Sequence, residues 1–177
     1  MKGISVNRGG TARYGLFGVT MWLLLKATIG VSQTGAPLIN LLDAKNGAQV
    51  IVATSDGWLK TIDGSQDRKF LNGWAIYAFK DERPATFDTF TVLIPGADNG
   101  NVKEFELLSG NDSPTGKFDS IGNFTTTNAK FMRSPHQEFK FPPVTAKYLK
   151  VELLSTWLGG GTIPSVFQFR LFGRMKE

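Results

Sequence analysis

The stretch "YLKVELLSTWLGGGTIPSVFQFRLFG" (residues 148–173) contains two strand-like segments joined by an unusual connection. Apolar residues occupy every second position of both segments, which is the pattern of a β-strand with one buried face. The connection "STWLGGGTIPS" (155–165) contains a tryptophan, a leucine and three consecutive glycines. A simple hairpin needs only a polar turn pair. The pattern predicts two strands joined by a connection that has a function in addition to reversing the chain direction.

The same period of two continues upstream as far as Leu38, and turn residues separate the segments. The eight predicted strands are 48–54, 74–80, 86–94, 101–109, 117–127, 137–141, 146–154 and 165–173. The strand at 137–141 is expected to end at Pro142, because proline lacks the backbone donor that a sheet uses. Without a long helical pattern or a repeat, the sequence predicts an all-β fold, an antiparallel two-sheet jelly-roll sandwich.

Composition narrows the possible functions. A chain of 177 residues suits one domain, and its 14 phenylalanines indicate an aromatic core. The absence of cysteine excludes disulfides, thiolate metal sites and cysteine nucleophiles. With a single histidine, multi-histidine metal sites are excluded and a serine triad would depend on His136. No Gly-x-Ser-x-Gly motif occurs, and "LGGGT" lacks the following helix of a phosphate-binding loop. The sequence therefore predicts a protein that is not an enzyme.

The N-terminal part has the layout of a secretory signal peptide. A basic leader precedes the apolar run "YGLFGVTMWLLL" (14–25), and small residues follow it. The run is shorter than the roughly 20 residues that span a bilayer, although an uncleaved membrane anchor is the alternative. We expect a signal peptide over 1–32, cleavage between 30 and 36, and a mature domain over 38–177. The protein would be secreted or periplasmic, in a bacterial cell envelope.

The net charge of +5 comes mostly from the first 37 residues, which hold four basic residues and no acidic one: Lys2, Arg8, Arg13 and Lys26. Subtracting these four leaves +1 for the remainder of the chain. Nucleic-acid binding needs a basic face on the folded part, so the charge argues against a nucleic-acid partner. It also argues against a membrane-surface binder.

Three segments together resemble a known family. They are "LKTIDG" (59–64) with Trp74 opening the next strand, "FPPVTAKYLKVELLS" (141–155) and the closing "VFQFRLFG" (166–173). In this order they resemble the discoidin-like, galactose-binding-like β-sandwich family, which includes coagulation-factor C-type domains and bacterial carbohydrate-binding modules. The resemblance covers residues 38–173. It implies a jelly-roll sandwich, a ligand site in loops at one end, and no catalysis.

The resemblance also implies a structural calcium ion in the long connection 58–74. Asp63 and Asp67 stand four residues apart with Gly64 between them, and calcium prefers carboxylate and carbonyl oxygens. The family's closing strand adds a carboxylate, and its counterpart here is Gln168, which offers a carbonyl oxygen without charge. The alternative is that Asp63 and Gly64 form an Asx-type turn and no metal is bound.

Aromatic residues in loops are candidates for stacking on a ligand. Trp157 is the first candidate, because a ring in a loop beside glycines suits the apolar face of a sugar. The alternative is that Trp157 and Leu158 fold down as a plug over the end of the sandwich. Trp58 is the second candidate, although packing under the long connection is the alternative. Trp74 is expected in the core.

Polar residues in other loops are candidates for hydrogen bonds to a ligand: Arg133 and His136 in "NAKFMRSPHQ" (128–137) and Asn111 in "GNDSPTG" (110–116). With Trp157 they predict an exported, non-catalytic binding module whose partner is a glycan. The alternative is a protein-interaction or cell-surface adhesion module that binds a surface protein and no glycan.

Overall fold

Alternating apolar residues form eleven strands in the computed structural model, which describes residues 36–176 of the chain. These strands are β1 (Ile39–Asn40), β2 (Gln49–Ala53), β3 (Lys69–Phe70), β4 (Trp74–Ala78), β5 (Ala85–Leu93), β6 (Glu104–Gly110), β7 (Phe118–Thr125), β8 (His136–Ala146), β9 (Tyr148–Leu153), β10 (Ser165–Val166) and β11 (Gln168–Met175).

The strands form two facing antiparallel sheets and one short pair. The four-stranded sheet has the order β1-β11-β5-β8, and the five-stranded sheet has the order β2-β4-β9-β6-β7. Strands β3 and β10 pair separately, with Lys69 opposite Val166 and Phe70 opposite Ser165. The fold is therefore an all-β, two-sheet sandwich, which confirms the predicted fold class.

All eight predicted strands are present, and the boundaries differ where local pattern is weakest. The two-residue strands β1 and β3 were not predicted, because so short a segment carries no alternation. Strand β8 does not end at Pro142 but continues through Pro143 to Ala146. It is an edge strand that pairs only with β5, and both prolines fall where the register between the two strands shifts, a place where a sheet tolerates proline.

The core between the sheets is built largely from aromatic rings. Phe90 of one sheet lies 5.6 Å from Phe105 of the other and 5.3 Å from Phe169 beside it, measured between ring centroids. All three are at most 1% exposed. Close aromatic pairs of this kind add about 0.5–1.5 kcal/mol beyond their buried area, so the rings hold the two sheets together.

Trp74 does not lie in this core, contrary to the sequence-based prediction. Successive side chains of β4 point to opposite faces, and Ala75 and Tyr77 face the core while Trp74 faces outward with Ile76. The indole is half-buried, and the Lys150 Nζ atom lies 4.8 Å from its ring centroid. The tryptophan packs on the outside of the five-stranded sheet.

Helices are few and short in the described part of the chain. Residues 36–176 contain three 3-10 helices, Ala44–Asn46, Asp56–Thr61 and Lys80–Glu82, and none is long enough to cross a membrane. The predicted signal peptide, residues 1–32, lies outside the described residues.

Candidate functional site

Four long connections meet at one end of the sandwich, which we call the long-loop end. They are residues 54–73, 94–103, 126–135 and 154–167. The pairing registers place the last residues of β2, β5, β7 and β9 beside the first residues of β4, β6, β8 and β11. We call the opposite end, where the other connections lie, the short-loop end.

The three consecutive glycines form a left-handed turn at the long-loop end. Gly159, Gly160 and Gly161 have φ angles of 74°, 65° and 77°. A Cβ atom added to any of them would meet no atom within 4 Å, so backbone conformation and not crowding requires glycine here. The backbone amides of residues 160–163 make no hydrogen bond with another described residue. We call residues 159–163 the glycine turn; the amide of Gly159 donates to the Thr156 carbonyl at 3.2 Å, whereas the amides of residues 160–163 are free to donate to a ligand.

A concave pocket of about 250 Å³ lies between the glycine turn and the start of β4. Asn72 and Gly73 form one side, and Leu154 and Ile163 contribute exposed apolar surface beside it. Among the hydrogen bonds of residues 36–176, none involves the side-chain amide of Asn72. The pocket thus combines an available amide, free backbone donors and apolar walls, which is the composition of a small-ligand site.

Both ends of the glycine turn are fixed to the neighbouring connection 94–103. The backbone amide of Leu158 donates to the Asn99 carbonyl at 2.8 Å, and that of Ser165 donates to the Gly100 carbonyl at 2.8 Å. Ser165 is fully buried. The turn is therefore held at its base while its tip faces solvent.

Trp157 does not line the pocket and is anchored to the neighbouring connections 94–103 and 126–135. Its indole Nε1 donates to the Thr126 hydroxyl at 3.1 Å, and its backbone amide donates to the Asn101 carbonyl at 3.2 Å. The Lys103 Nζ atom lies 5.6 Å from its ring centroid. The residue is 36% exposed, so it is neither a buried plug nor a free platform.

Arg133 and His136 lie at the same end, in the connection before β8 and at its start. Arg133 is exposed, whereas His136 is half-buried and its Nδ1 atom has no hydrogen-bond partner among the described residues. Burial, and then the charge of Arg170, lower the pKa of His136 from its ordinary value of 6.5. Neither residue lines the pocket.

The structure contradicts the prediction that Trp58 faces a ligand. Its side chain is fully buried, 6.1 Å from Phe169 and 6.4 Å from Tyr77 between ring centroids. Its Nε1 donates to the Asn72 carbonyl at 2.9 Å. The indole is part of the core, and its contribution to the pocket is to hold Asn72 in place.

Asn111 is separated from the other predicted ligand residues. It lies in the connection between β6 and β7 at the short-loop end, where its amide contacts the Thr145 carbonyl at 3.4 Å. The sequence places it in a loop, but the strand order decides which end that loop occupies. Asn111 therefore cannot share a site with Trp157.

The residues considered for calcium are engaged with neighbouring protein groups. Asp63 accepts from the Ser65 backbone amide at 2.7 Å, and Asp67 accepts from the Ser65 hydroxyl at 2.7 Å. Gln168 donates through Nε2 to the Gly64 carbonyl at 3.2 Å. Residues 36–176 contain no group of three or more acidic, histidine or cysteine side chains suited to a metal ion.

Two residues of this end were not identified from the sequence. Asn72 precedes a glycine and has the pattern of an ordinary turn residue, although it supplies the free amide of the pocket. Lys69 has the pattern of a solvated charge, yet it is only 5% exposed. No local signal distinguishes either residue, because both depend on contacts with distant segments.

Known proteins resemble this chain in fold and not in sequence. No protein-family model and no curated protein matches the chain. A carbohydrate-binding module from a family 31 glycoside hydrolase of Clostridium perfringens has a TM-score of 0.59 at 17% identity, covering 72% of this chain and 92% of the module. A second module of that organism, solved with GalNAc-β-1,3-galactose, has a TM-score of 0.55 at 20% identity, covering 75% and 99%.

A family 32 carbohydrate-binding module of Clostridium perfringens, solved with galactose, has a TM-score of 0.54 at 12% identity, covering 77% of this chain and 99% of that one. At such identities the likeness shows the fold alone. The chain has the discoidin-like, galactose-binding-like fold of these modules, which confirms the resemblance seen in the sequence. All three of these matched structures are binding modules and not catalytic domains.

Proposed function

We propose that this chain, with the fold of the family 32 carbohydrate-binding modules, is a non-catalytic module that binds a glycan at the long-loop end. The observation that carries the proposal is the pocket between Asn72 and the glycine turn. Solved modules of this fold include complexes with galactose and with GalNAc-β-1,3-galactose. The predicted signal peptide adds the proposal that the module acts in the periplasm or outside the cell.

The pocket chemistry suits a sugar ring. An amide such as that of Asn72 both donates and accepts, as a pair of adjacent hydroxyls requires. The free amides of residues 160–163 supply further donors, and Leu154 and Ile163 offer apolar surface to the C–H face of a ring. Ligand pockets commonly measure about 300–1,000 Å³, so a pocket of 250 Å³ favours one terminal sugar over several consecutive ones.

Trp157 enters this proposal as a secondary contact. Its ring belongs to the same connection as the glycine turn but does not line the pocket, and Lys103 lies above one face of the ring. A glycan that extends beyond its terminal sugar would reach this exposed ring, while the terminal sugar itself would be held by Asn72. Arg133 and His136 stand farther around the same end and belong to the proposed site only for a longer ligand.

A protein partner is the second candidate, and one observation favours it. Seven of the nine large apolar side chains that are exposed among residues 36–176 belong to connections at the long-loop end: Leu59, Phe70, Phe131, Leu154, Trp157, Leu158 and Ile163. Exposed apolar side chains that cluster on one part of a surface are characteristic of contact sites between proteins. In this case the partner would be a cell-surface protein and no glycan would be needed.

A glycan array probed with the purified chain tests the first proposal, followed by titration calorimetry with the best ligand. Asn72→Ala removes the free amide but keeps the backbone carbonyl that receives Trp58. We expect it to weaken binding by about tenfold or more, the equivalent of one or two hydrogen bonds. Asn111→Ala is the matched control, since it removes the same group at the short-loop end, and should bind as the wild type does.

The outcomes either locate the sugar site or decide between the glycan and the protein partner. Binding lost in Trp157→Ala but unchanged in Asn72→Ala would move the sugar site to the Trp157 side of the connection. No glycan binding by a wild-type chain that melts cooperatively would reject the glycan proposal and favour the protein partner.

A further inference from the structure

A buried ammonium group stands at the centre of the long connection 54–73. Lys69 begins β3 and is 5% exposed. Its Nζ atom lies 2.9 Å from each of three carbonyl oxygens, those of Ser65, Asp67 and Phe167. A lysine ammonium has three donors, so each proton finds one acceptor. Two acceptors belong to the same turn, and the third belongs to the residue before β11.

The surroundings of Lys69 are those of a compensated cation. Burial lowers its pKa from the ordinary 10.5, and the carboxylates of Asp63 and Asp67 act in the opposite direction. Backbone carbonyls that accept from an ammonium also favour its charged form. Lys60 of the same connection adds a weaker repulsion, the smallest of these effects on the pKa of Lys69. The two carboxylates and the three carbonyl oxygens together compensate the positive charge of the Lys69 ammonium.

These residues do not fit the calcium ion that the fold family implies for this connection. Calcium takes six to eight oxygens at about 2.3–2.6 Å, but the carbonyls turned toward this position already accept from Lys69. The Gln168 side chain presents its Nε2 donor to Gly64, and its Oε1 accepts from the Arg170 Nε at 2.9 Å. A divalent ion among these carbonyls would also be repelled by the adjacent ammonium.

We infer that Lys69 serves as the built-in cation of this connection, and that the long-loop end keeps its shape without calcium. This role of Lys69 also affects the candidate site, because Lys69 pairs with Val166 in the short β3–β10 ladder. Strand β10 follows directly after the glycine turn and Pro164. Lys69 is thus a positioning residue: it ties the connection 54–73 to the start of β11. The inference is independent of which ligand the pocket binds.

Thermal unfolding of the purified chain, followed by circular dichroism, tests this inference. The wild type is measured with excess EDTA and with millimolar calcium chloride, and we expect the same melting temperature in both. Lys69→Met keeps the apolar length of the side chain but loses all three hydrogen bonds, so we expect a fall of about 5 °C or more in either buffer. Lys60→Met removes an exposed charge from the same connection and is the matched control, with no fall expected.

Two results would overturn the inference. A wild-type melting temperature that rises by several degrees with calcium would show that the ion is bound and stabilises the native state. A Lys69→Met variant as stable as the wild type would show that the ammonium does not hold the connection. If Lys69→Met fails to fold, the wild-type comparison decides the calcium question by itself. Neither measurement depends on glycan binding, so the test remains valid even if the chain binds no glycan.

Discussion

The indole of Trp58 lies over the phenyl ring of Phe169, with ring centroids 6.1 Å apart and planes 25° from parallel. The two residues stand 111 positions apart in the sequence. Trp58 belongs to the 3-10 helix Asp56–Thr61, and Phe169 belongs to β11. This contact packs the long connection onto the core, and it makes Trp58 a residue of stability and not of recognition.

Replacing Trp58 by alanine should therefore destabilise the fold strongly. Loss of a fully buried aromatic ring costs about 3–5 kcal/mol of unfolding free energy, and the Asn72 carbonyl also loses a donor. Urea denaturation followed by fluorescence or circular dichroism measures the change. Trp157→Ala, at a site that is 36% exposed, should cost clearly less. Equal losses would contradict the burial of Trp58.

Gly173 is required by crowding. A Cβ atom there would lie 2.5 Å from the Thr86 carbonyl oxygen and 2.6 Å from the Leu41 Cδ1 atom, at the irregular register between β11 and β5. Gly173→Ala should cost about 1–3 kcal/mol, as overpacking commonly does. At Gly96 an added Cβ meets no atom within 4 Å, so Gly96→Ala should be nearly neutral in the same denaturation experiment.

The glycine turn should respond to backbone preference alone. Gly160 has a φ of 65° and open space around it, so Gly160→Ala should cost about 1–2 kcal/mol through the left-handed conformation. Asparagine visits that conformation more readily, and Gly160→Asn should cost less. The melting temperatures of the two variants make the comparison. An alanine variant as stable as the asparagine variant would contradict the described turn.

Protonation of His136 should lower the free energy of unfolding in mild acid. Its pKa is lower in the folded state than the ordinary 6.5, through burial and then Arg170. As pH falls below 6.5 the unfolded chain therefore takes up the proton first, and the free energy of unfolding decreases. The contribution is fully present above 6.5. In urea denaturation between about pH 7 and about pH 5, the wild type should lose more stability than His136→Gln. Parallel curves would show that the histidine is not perturbed.

The sequence by itself determined the strands and the two-sheet sandwich. Alternation of apolar and polar residues is local, so it locates β9 and β11 without knowledge of the rest of the chain. The three ordered motifs added the galactose-binding-like resemblance. The glycines of the turn at 159–161 were also visible, because left-handed backbone is a property of single residues.

Only the tertiary structure decided which of these features meet. Strand order placed Asn111 and Trp157 at opposite ends, although both lie in loops between similar strands. Burial of Trp58 and Lys69 depends on Phe169 and Phe167, which are about a hundred residues away. Contacts across such distances leave no local pattern. The chemistry of the long-loop end, including whether its cation is a lysine or a metal ion, is therefore set by three-dimensional packing.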